Sequence, residues 1–339
     1  MQYQSPYEGS RNACSGNFAS GGVAPKTTRF RGQSIVEYVL IIAVIGLVIV
    51  FAGPGVAGAI RNQFNLVGNT LNSGTNGGTE GDGSAGADSA TVQAAVAKDA
   101  KDWTLDEQKA VAEDIAAKGE ASPAYAKAKA AMDAGTEFSM KLTDGQTLTY
   151  RIIGINHDDL ADGSGKAGLT FLTTSSGISS RMNATDVNTG GWEKSELRQK
   201  MNAGEIWNLM SSDFQSKVKS VAKLTNNVSG ESSDAPVTAT VDKLFLISLS
   251  ETFDKSFWFD PSDEELGFLW LTTEGTLYEA FTNRTFDEVF DSVYNGFDWW
   301  IRTSDHLRSS HFLTIANAPG VAGEGFASES YCVCPAWCF

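Results

Sequence analysis

The spacing of apolar and polar residues changes in character several times along this chain of 339 residues. Residues 38–52 carry no charge, and with Ile35 and Val36 this run approaches the roughly 20 residues that an α-helix needs to cross a membrane. Residues 72–90 are almost entirely Gly, Ser, Thr, Asn and acidic residues, which is typical of a flexible linker. This pattern predicts an N-terminal transmembrane helix that a linker separates from the rest of the chain.

Ala-rich sequence with helical spacing follows the linker. Thr104 and Glu107 form a capping box before a predicted helix over Leu105–Lys118, and a second short helix is expected to end near Gly135. We interpret residues 91–136 as a helical stalk.

The spacing becomes alternating at Glu137. Residues 138–142 and 148–155 predict two strands, and the Gly of Asp144-Gly145 predicts a tight turn between them. Residues 169–172 predict a third strand. The C-terminal part of the chain is therefore expected to begin with antiparallel sheet.

Helical spacing returns in the middle of the C-terminal part. One helix is expected within residues 193–210 and one within 212–223, where Phe214, Val218 and Val221 form an apolar stripe. Further short strands are expected at residues 244–248, 299–302, 312–315 and 331–337. The predicted fold class is α+β: a transmembrane helix, a linker and a helical stalk, then residues 137–339 as a domain of short strands and two central helices.

Charge and cysteine content narrow the function classes. The formal net charge is −15 at pH 7, which argues against nucleic acid as a partner because the phosphate backbone is also negative. Besides Cys14, three cysteines are crowded near the C-terminus. A bridge from Cys332 or Cys334 to Cys338 suits an oxidising compartment, although residues this close in sequence are difficult to join.

Metal binding and catalysis find little support in the residue pattern. Three thiols lack both a C-x₂-C spacing and a fourth nearby ligand for zinc, and the acidic stretch 157–165 lacks the spacing of a calcium loop. We also find no nucleophile beside a base. The prediction is no catalytic residue, no metal and no cofactor.

The residues around the apolar run are arranged differently from those of a secretory signal. Gly32 precedes the run, whereas the cleavage site of a secretory signal follows it, and Glu37 lies near the start of the run. The arrangement resembles a bacterial type IV prepilin, in which the leader is cut after a Gly and Glu occupies the fifth mature position. Cutting after Gly32 makes Gln33 the first residue and Glu37 the fifth, and the pair Glu37-Tyr38 is similar to the small Flp pilins of the Tad (type IVb) class.

The pilin resemblance implies a domain order and partners. Residues 1–32 would be a prepilin leader and residues 33–71 a pilin-like hydrophobic helix, followed by the linker over 72–90. The implied partners are prepilin peptidase, other pilin subunits and the membrane during assembly. The implied location is the bacterial cytoplasmic membrane and then a surface pilus. A simple membrane anchor is the alternative interpretation.

Four sequence blocks of the C-terminal part are similar to one family. They read GWEKSELR at 191–198, KLFLISLSE at 243–251, WWIR at 299–302 and PAWCF at 335–339. These blocks resemble a large bacterial family of extracellular domains of unknown function, related in pattern to the C-type-lectin-like fold of the formylglycine-generating enzyme type. Cys334 departs from that family, which usually has Arg there.

This fold also resembles the variable proteins of diversity-generating retroelements, which alter a binding surface near the C-terminus by mutating adenines. Residues 301–323 contain no Glu, Lys, Met, Gln or Trp, the residues that adenine mutation of an Asn codon cannot produce. An ordinary solvated loop is the alternative. The expected ligand contacts are Asp305, His306, Arg308, Ser310, His311, Phe312, Thr314, Asn317, Ser328, Ser330 and Tyr331.

The sequence as a whole predicts a minor pilin whose C-terminal head binds a protein or glycan. The alternative is a membrane-tethered surface enzyme or sensor that uses the same head.

Overall fold

The structure is a computed structural model that describes residues 89–175, 177–227, 237–253, 274–285, 288–289, 297–306, 308–315 and 322–339. These residues belong to one compact unit of mixed α/β structure. The leader, the pilin-like segment 33–71 and nearly all of the expected linker lie outside the described residues. Ser89, at the end of that linker, caps the first described helix.

Three helices come first in the described part of the chain: α1 (Ala90–Val96), α2 (Leu105–Lys118) and α3 (Tyr125–Asp133). The capping box predicted for α2 is confirmed, because Thr104 Oγ1 accepts a bond from Glu107 N and Glu107 Oε2 accepts one from Thr104 N. Gly119 and Gly135 adopt positive φ after α2 and α3, as helix-ending glycines do.

The prediction of a separate helical stalk is wrong, because these helices pack onto the rest of the unit. Val111, Ala112 and Ile115 of α2 have no exposed surface. The Trp103 ring, just before α2, stacks on Phe138 at 6.2 Å between centroids. Apolar helix faces of this kind are stable only against a partner surface, and here the partner is a sheet.

The described strands are β1 (Glu137–Lys141), β2 (Thr147–Ile155), β3 (Leu169–Ser175), β4 (Ser179–Ser180), β5 (Val221–Asn226), β6 (Val237–Asp242), β7 (Trp299–Ser304), β8 (His311–Ile315), β9 (Ala322–Phe326), β10 (Tyr331–Cys332) and β11 (Ala336–Cys338). The predicted hairpin β1–β2 and the predicted third strand are confirmed. An antiparallel sheet has the order β1-β2-β3-β11, and Trp337 of β11 lies opposite Phe171 of β3.

A second sheet has the order β4-β10-β7-β8-β9. Strand β10 runs parallel to β7, and the other pairs are antiparallel. The register between β7 and β8 shifts between Trp300 and Ser304, so the intervening residues of β7 bulge. Arg302 in the bulge donates its backbone N–H to the Ile247 carbonyl. Strands β5 and β6 form a separate antiparallel hairpin.

The prediction of two central helices is wrong. The described residues between β4 and β7 instead form the short helices α4 (Gly191–Lys194), α5 (Glu196–Asn202), α6 (Glu205–Leu209), α7 (Ser212–Gln215) and α8 (Leu249–Thr252). Ser195 has extended backbone and accepts an N-cap hydrogen bond, which interrupts the helix expected within residues 193–210. Ser211 is likewise an N-cap, at the boundary between the two expected helices. Residues 244–248, expected as a strand, form a single bridge between Phe245 and Ala336.

The fold-class prediction therefore needs correction. None of the helices in the described ranges is both long and apolar enough to cross a membrane. The predicted transmembrane helix falls outside those ranges and has no support from the structure. Within them the chain is mixed α/β, with helices packed on sheet in place of a stalk and several short helices in place of two.

Candidate functional site

A buried amide fixes the loop between β7 and β8. Asn188 Nδ2 donates to the carbonyl oxygens of Asp305 at 2.7 Å, Arg308 at 2.9 Å and His311 at 2.9 Å. The Ser309 carbonyl accepts the Asn188 backbone N–H at 2.7 Å. All four contacts are to loop backbone, so they do not depend on which side chains the loop carries.

The side chains in the middle of this loop point to solvent. Arg308 and Ser309 are exposed, and Ser310 is half-buried. Arg308 forms an ion pair with Glu324 of β9. The Ser310 Oγ lies 2.8 Å from His311 Nδ1, which orients the imidazole ring.

Two aromatic contacts involve strands next to this loop. Phe326 of β9 is 44% exposed. The centroid of its ring lies 4.1 Å from the centroid of the His311 ring. The Tyr331 ring packs edge-on against Trp300 at 4.6 Å. A Cβ at position 325 would lie 2.5 Å from the Tyr331 ring, so Gly325 is needed for this close approach.

A second segment lies beside the loop. Asp186 Oδ1 accepts the backbone N–H of Ser328, and Asn183 donates its N–H to the Ala327 carbonyl. The Val187 side chain in this segment is 43% exposed. We call Val187, Arg308, Ser310, Glu324 and Phe326 the binding face.

Several expected contact residues point inward. The buried side chains are those of Asp305, His306, His311, Phe312 and Thr314. Strand β8 has a neighbouring strand on each side, and Asp305 and His306 lie in the loop that follows β7. The expected residues at the surface are Arg308, Ser310, Ser328, Ser330 and Tyr331. Asn317 and the processing residues Gly32, Gln33, Glu37 and Tyr38 lie outside the described residues.

Sequence reasoning missed Val187, Glu324 and Phe326. An exposed aromatic on an edge strand has the same local pattern as a buried one, so no sequence signal marked Phe326. Burial lowers the pKa of His306 and His311 below their usual value, and for His311 the Arg308 charge adds to this effect. The binding face at neutral pH therefore carries its charge on Arg308 and Glu324.

A buried charge network lies elsewhere in the unit. Lys223 Nζ is 2.5 Å from Asp158 Oδ1 and 2.6 Å from Glu251 Oε1. Arg302 Nη1 lies 2.5 Å from Glu251 Oε2. All four side chains are buried, and we call them the charge network.

Hydroxyl groups complete the hydrogen bonding around Asp158. Thr170 Oγ1 donates to Asp158 Oδ2 at 2.6 Å, and the Tyr278 hydroxyl lies 3.0 Å from Oδ2 and 3.1 Å from Oδ1. Burial alone would raise the pKa of Asp158, but the charges of Lys223 and His157 and the hydrogen bonds lower it to about 2. Asp158 is therefore ionised in its resting state.

Glu274 lies next to the charge network, and its pKa shifts in the opposite direction to that of Asp158. Its carboxyl oxygens accept bonds from the backbone N–H of Asn226 at 2.9 Å and from Thr303 Oγ1 at 2.6 Å. Burial raises the pKa of Glu274, and the nearby Arg302 charge does not offset this. Two cations already balance Asp158 and Glu251, so a third buried carboxylate has no matching charge.

The cysteines do not form the expected bridge. Cys334 and Cys338 are free and buried, and burial raises the pKa of both thiols. Cys332 is disulfide-bonded. In the described part of the chain, no group of three or more His, Cys, Asp or Glu side chains could hold a metal ion.

Comparison with known proteins gives one match. A family described as a domain of unknown function (DUF6273) matches residues 167–339, just over half of the chain. No curated protein and no solved structure matches the chain. The resemblances to pilins and to C-type-lectin-like proteins stay predictions.

Proposed function

Because this chain belongs to the DUF6273 family of domains of unknown function, we propose a function from its own residues: it is a pilus-displayed adhesin of the minor pilin type, whose C-terminal domain binds a protein or glycan through the binding face.

The proposal has two halves, ligand binding by the C-terminal domain and display on a pilus. The contacts of Asn188 support the binding half. Three loop carbonyls accept from its side chain and a fourth from its backbone N–H, so the loop conformation is set independently of Arg308, Ser309 and Ser310. Loops on a rigid scaffold are where binding residues are most often found. A loop that is fixed through its backbone loses little conformational entropy when it binds.

The chemistry of the binding face supports a protein or glycan ligand. Phe326 offers an exposed ring, Val187 an apolar side chain, and Arg308 and Glu324 offer charge and hydrogen bonds. An aromatic or Arg side chain surrounded by polar groups is the usual composition of an interaction hot spot. An aromatic face also suits the apolar face of a sugar ring.

A binding assay with two defined probes tests this half. The labelled full chain is applied to a printed glycan array and to a phage-displayed library of random peptides. We expect binding to at least one probe, and a loss of about tenfold or more when Arg308→Ala and Phe326→Ala are combined.

The matched control is Lys129→Ala, which breaks another exposed ion pair, to Asp133 of α3 at 2.9 Å. The control should bind like the natural chain. If neither probe is bound, or if the double variant binds as well as the control, the binding half of the proposal is wrong.

The display half is supported by sequence alone, through Gly32, Gln33, Glu37 and Tyr38. We expect protein recovered from sheared surface fibres to begin at Gln33 and Gly32→Ala to stay uncut. Glu37→Ala should be cut but absent from the fibres, because a processed subunit without this carboxylate lacks its partner for the free Gln33 amine. Fibres that contain the uncut chain would exclude prepilin processing.

A further inference from the structure

The charge network holds a lysine amine in contact with two carboxyl groups in a site closed to solvent. Lys223, Asp158 and Glu251 have side-chain exposures of 3%, 3% and 2%. None of these groups belongs to the binding face. We propose that Lys223 and Asp158 condense into an intramolecular amide bond, with Glu251 as the group that carries the protons.

Asp158 is held as the carbonyl partner of this reaction. Its Oδ2 accepts from Thr170 Oγ1 at 2.6 Å and from the Tyr278 hydroxyl at 3.0 Å. These two donors stabilise negative charge on Oδ2 when the amine adds to the carboxyl carbon, as an oxyanion hole does. Oδ2 then becomes the oxygen of the amide, and Oδ1, the oxygen nearest to Lys223, is the one that leaves.

Glu251 is held as the proton carrier. Its Oε1 lies 2.6 Å from Lys223 Nζ, within the distance that general base catalysis requires. Its Oε2 accepts from Arg302 Nη1 at 2.5 Å and from the backbone N–H of Ser248 at 3.1 Å. Hydrogen bonds to Oε2 therefore hold the Glu251 carboxylate in place, while Oε1 contacts the Lys223 amine.

The reaction balances without any other reactant. An ammonium and a carboxylate give one amide and one water: the Nζ–Cγ bond forms and the Cγ–Oδ1 bond breaks. Glu251 takes a proton from Nζ and returns it to Oδ1, and then transfers a second one in the same way. One hydrogen stays on the amide nitrogen, and the departing Oδ1 leaves as water.

The site favours this reaction although bulk water opposes it. Groups fixed in contact react as if at effective concentrations of about 10⁵ to 10⁸ M. Water is a reactant in the reverse reaction, and a site closed to solvent keeps it away from the amide. The rings of Phe245 and Tyr278 lie 4.5 Å and 5.4 Å from Lys223 Nζ and help to close the site to water.

The mass of the full chain tests the proposal. After reduction and denaturation, we expect a mass one water lower than the sequence between the observed termini requires. A tryptic digest should contain a branched peptide that joins Asp158 to Lys223, without cleavage after Lys223. A mass equal to that of the sequence, with both segments recovered as linear peptides, would overturn the proposal.

Two variants identify the groups that react. Lys223→Met has no amine and should have the full mass of its own sequence, whether or not it folds. If it also lacks one water, the loss arises elsewhere and the proposal is wrong.

Glu251→Gln keeps the size of the proton carrier and should give a folded but unlinked chain. The matched control is Glu107→Gln, because Glu107 also closes a capping box but lies outside the charge network. This control should be fully linked. Complete linkage in Glu251→Gln would exclude Glu251 from the reaction.

Discussion

At the scale of single residues, one amide has an unusually large effect on the binding face. Asn188 has no exposed surface, and its Nδ2 serves three carbonyl oxygens of the loop. A buried polar group that loses its partner costs about 1–3 kcal/mol. The shape of the loop therefore depends more on Asn188 than on any side chain that the loop itself exposes.

We expect Asn188→Ala to lower the free energy of unfolding by about 2 kcal/mol or more. The same change should speed amide hydrogen exchange in residues 305–311, because the loop carbonyls lose their common donor. Urea unfolding and mass-detected hydrogen exchange measure these two effects.

Asn202→Ala is the matched control, since Asn202 Nδ2 also bridges two carbonyls, those of Arg198 and Leu244. It should cost comparable stability and leave exchange in residues 305–311 unchanged. Equal exchange in the two variants would show that Asn188 does not hold the loop.

Glu274 gives the unit a pH dependence. Because its folded-state pKa is raised, it binds its proton more tightly in the folded chain than in the unfolded chain. The protonated Glu274 side chain contributes fully to stability when the pH is below 4.5, the pKa of Glu in the unfolded chain. This contribution is lost as the pH rises through the pKa of Glu274 in the folded chain.

We therefore expect Glu274→Gln, which mimics the protonated form, to be more stable than the natural chain at about pH 8 and nearly equal to it at about pH 3.5. Thermal unfolding at the two pH values measures the difference in stability between the two chains. A constant difference between the two chains at both pH values would mean that Glu274 does not titrate in this range.

At the scale of elements, α2 and the first sheet depend on a close backbone contact. A Cβ at position 168 would lie 1.8 Å from the Ala112 carbonyl oxygen. Gly168 precedes β3, so the helix can approach the sheet only because this position lacks a side chain. The Tyr150 hydroxyl of β2 also donates to Gln108 Oε1 of α2 at 3.1 Å.

Gly168→Ala should destabilise the unit by about 1–3 kcal/mol, because backbone atoms of α2 must move away from the sheet. Gly145→Asn is the control: Gly145 has φ 88° in open space, and Asn tolerates the left-handed region. The control should change stability by less than about 1 kcal/mol in urea unfolding. Similar losses in both variants would contradict tight helix packing at Gly168.

At the scale of the whole molecule, the segment that matches the family is shorter than the folded unit. The match begins at residue 167, whereas β1 and β2 form half of the first sheet. Phe138, Tyr150 and Ile152 in these strands are buried. The core therefore extends well before the matched segment.

We expect a fragment of residues 89–339 to unfold in one cooperative transition and a fragment of residues 167–339 to show none. The shorter fragment would expose the faces of β3 and β11 that the missing strands and helices cover. Circular dichroism during heating compares them. Cooperative unfolding of residues 167–339 would mean that the preceding segment is an addition to a complete core.

Elements with a local signal could be predicted from the sequence. The α2 capping box, the β1–β2 turn and the strands β3, β7 and β8 depend on residues that are near one another in the chain. The interruption at Ser195 was also local, but helical spacing across this position concealed it. Ser211, by contrast, lies at the boundary between the two predicted helices.

The sequence by itself determined where many helices and strands begin, since caps, turns and alternation act over a few residues. Only the tertiary structure decided that α1–α3 pack on a sheet, that Phe312 points inward while Phe326 is exposed, and that Asn188 holds a loop about 120 residues away. It also decided that Lys223 meets Asp158 across a separation of 65 residues. These contacts join distant segments, and no local pattern of apolar and polar residues specifies which distant segment will cover a given side chain.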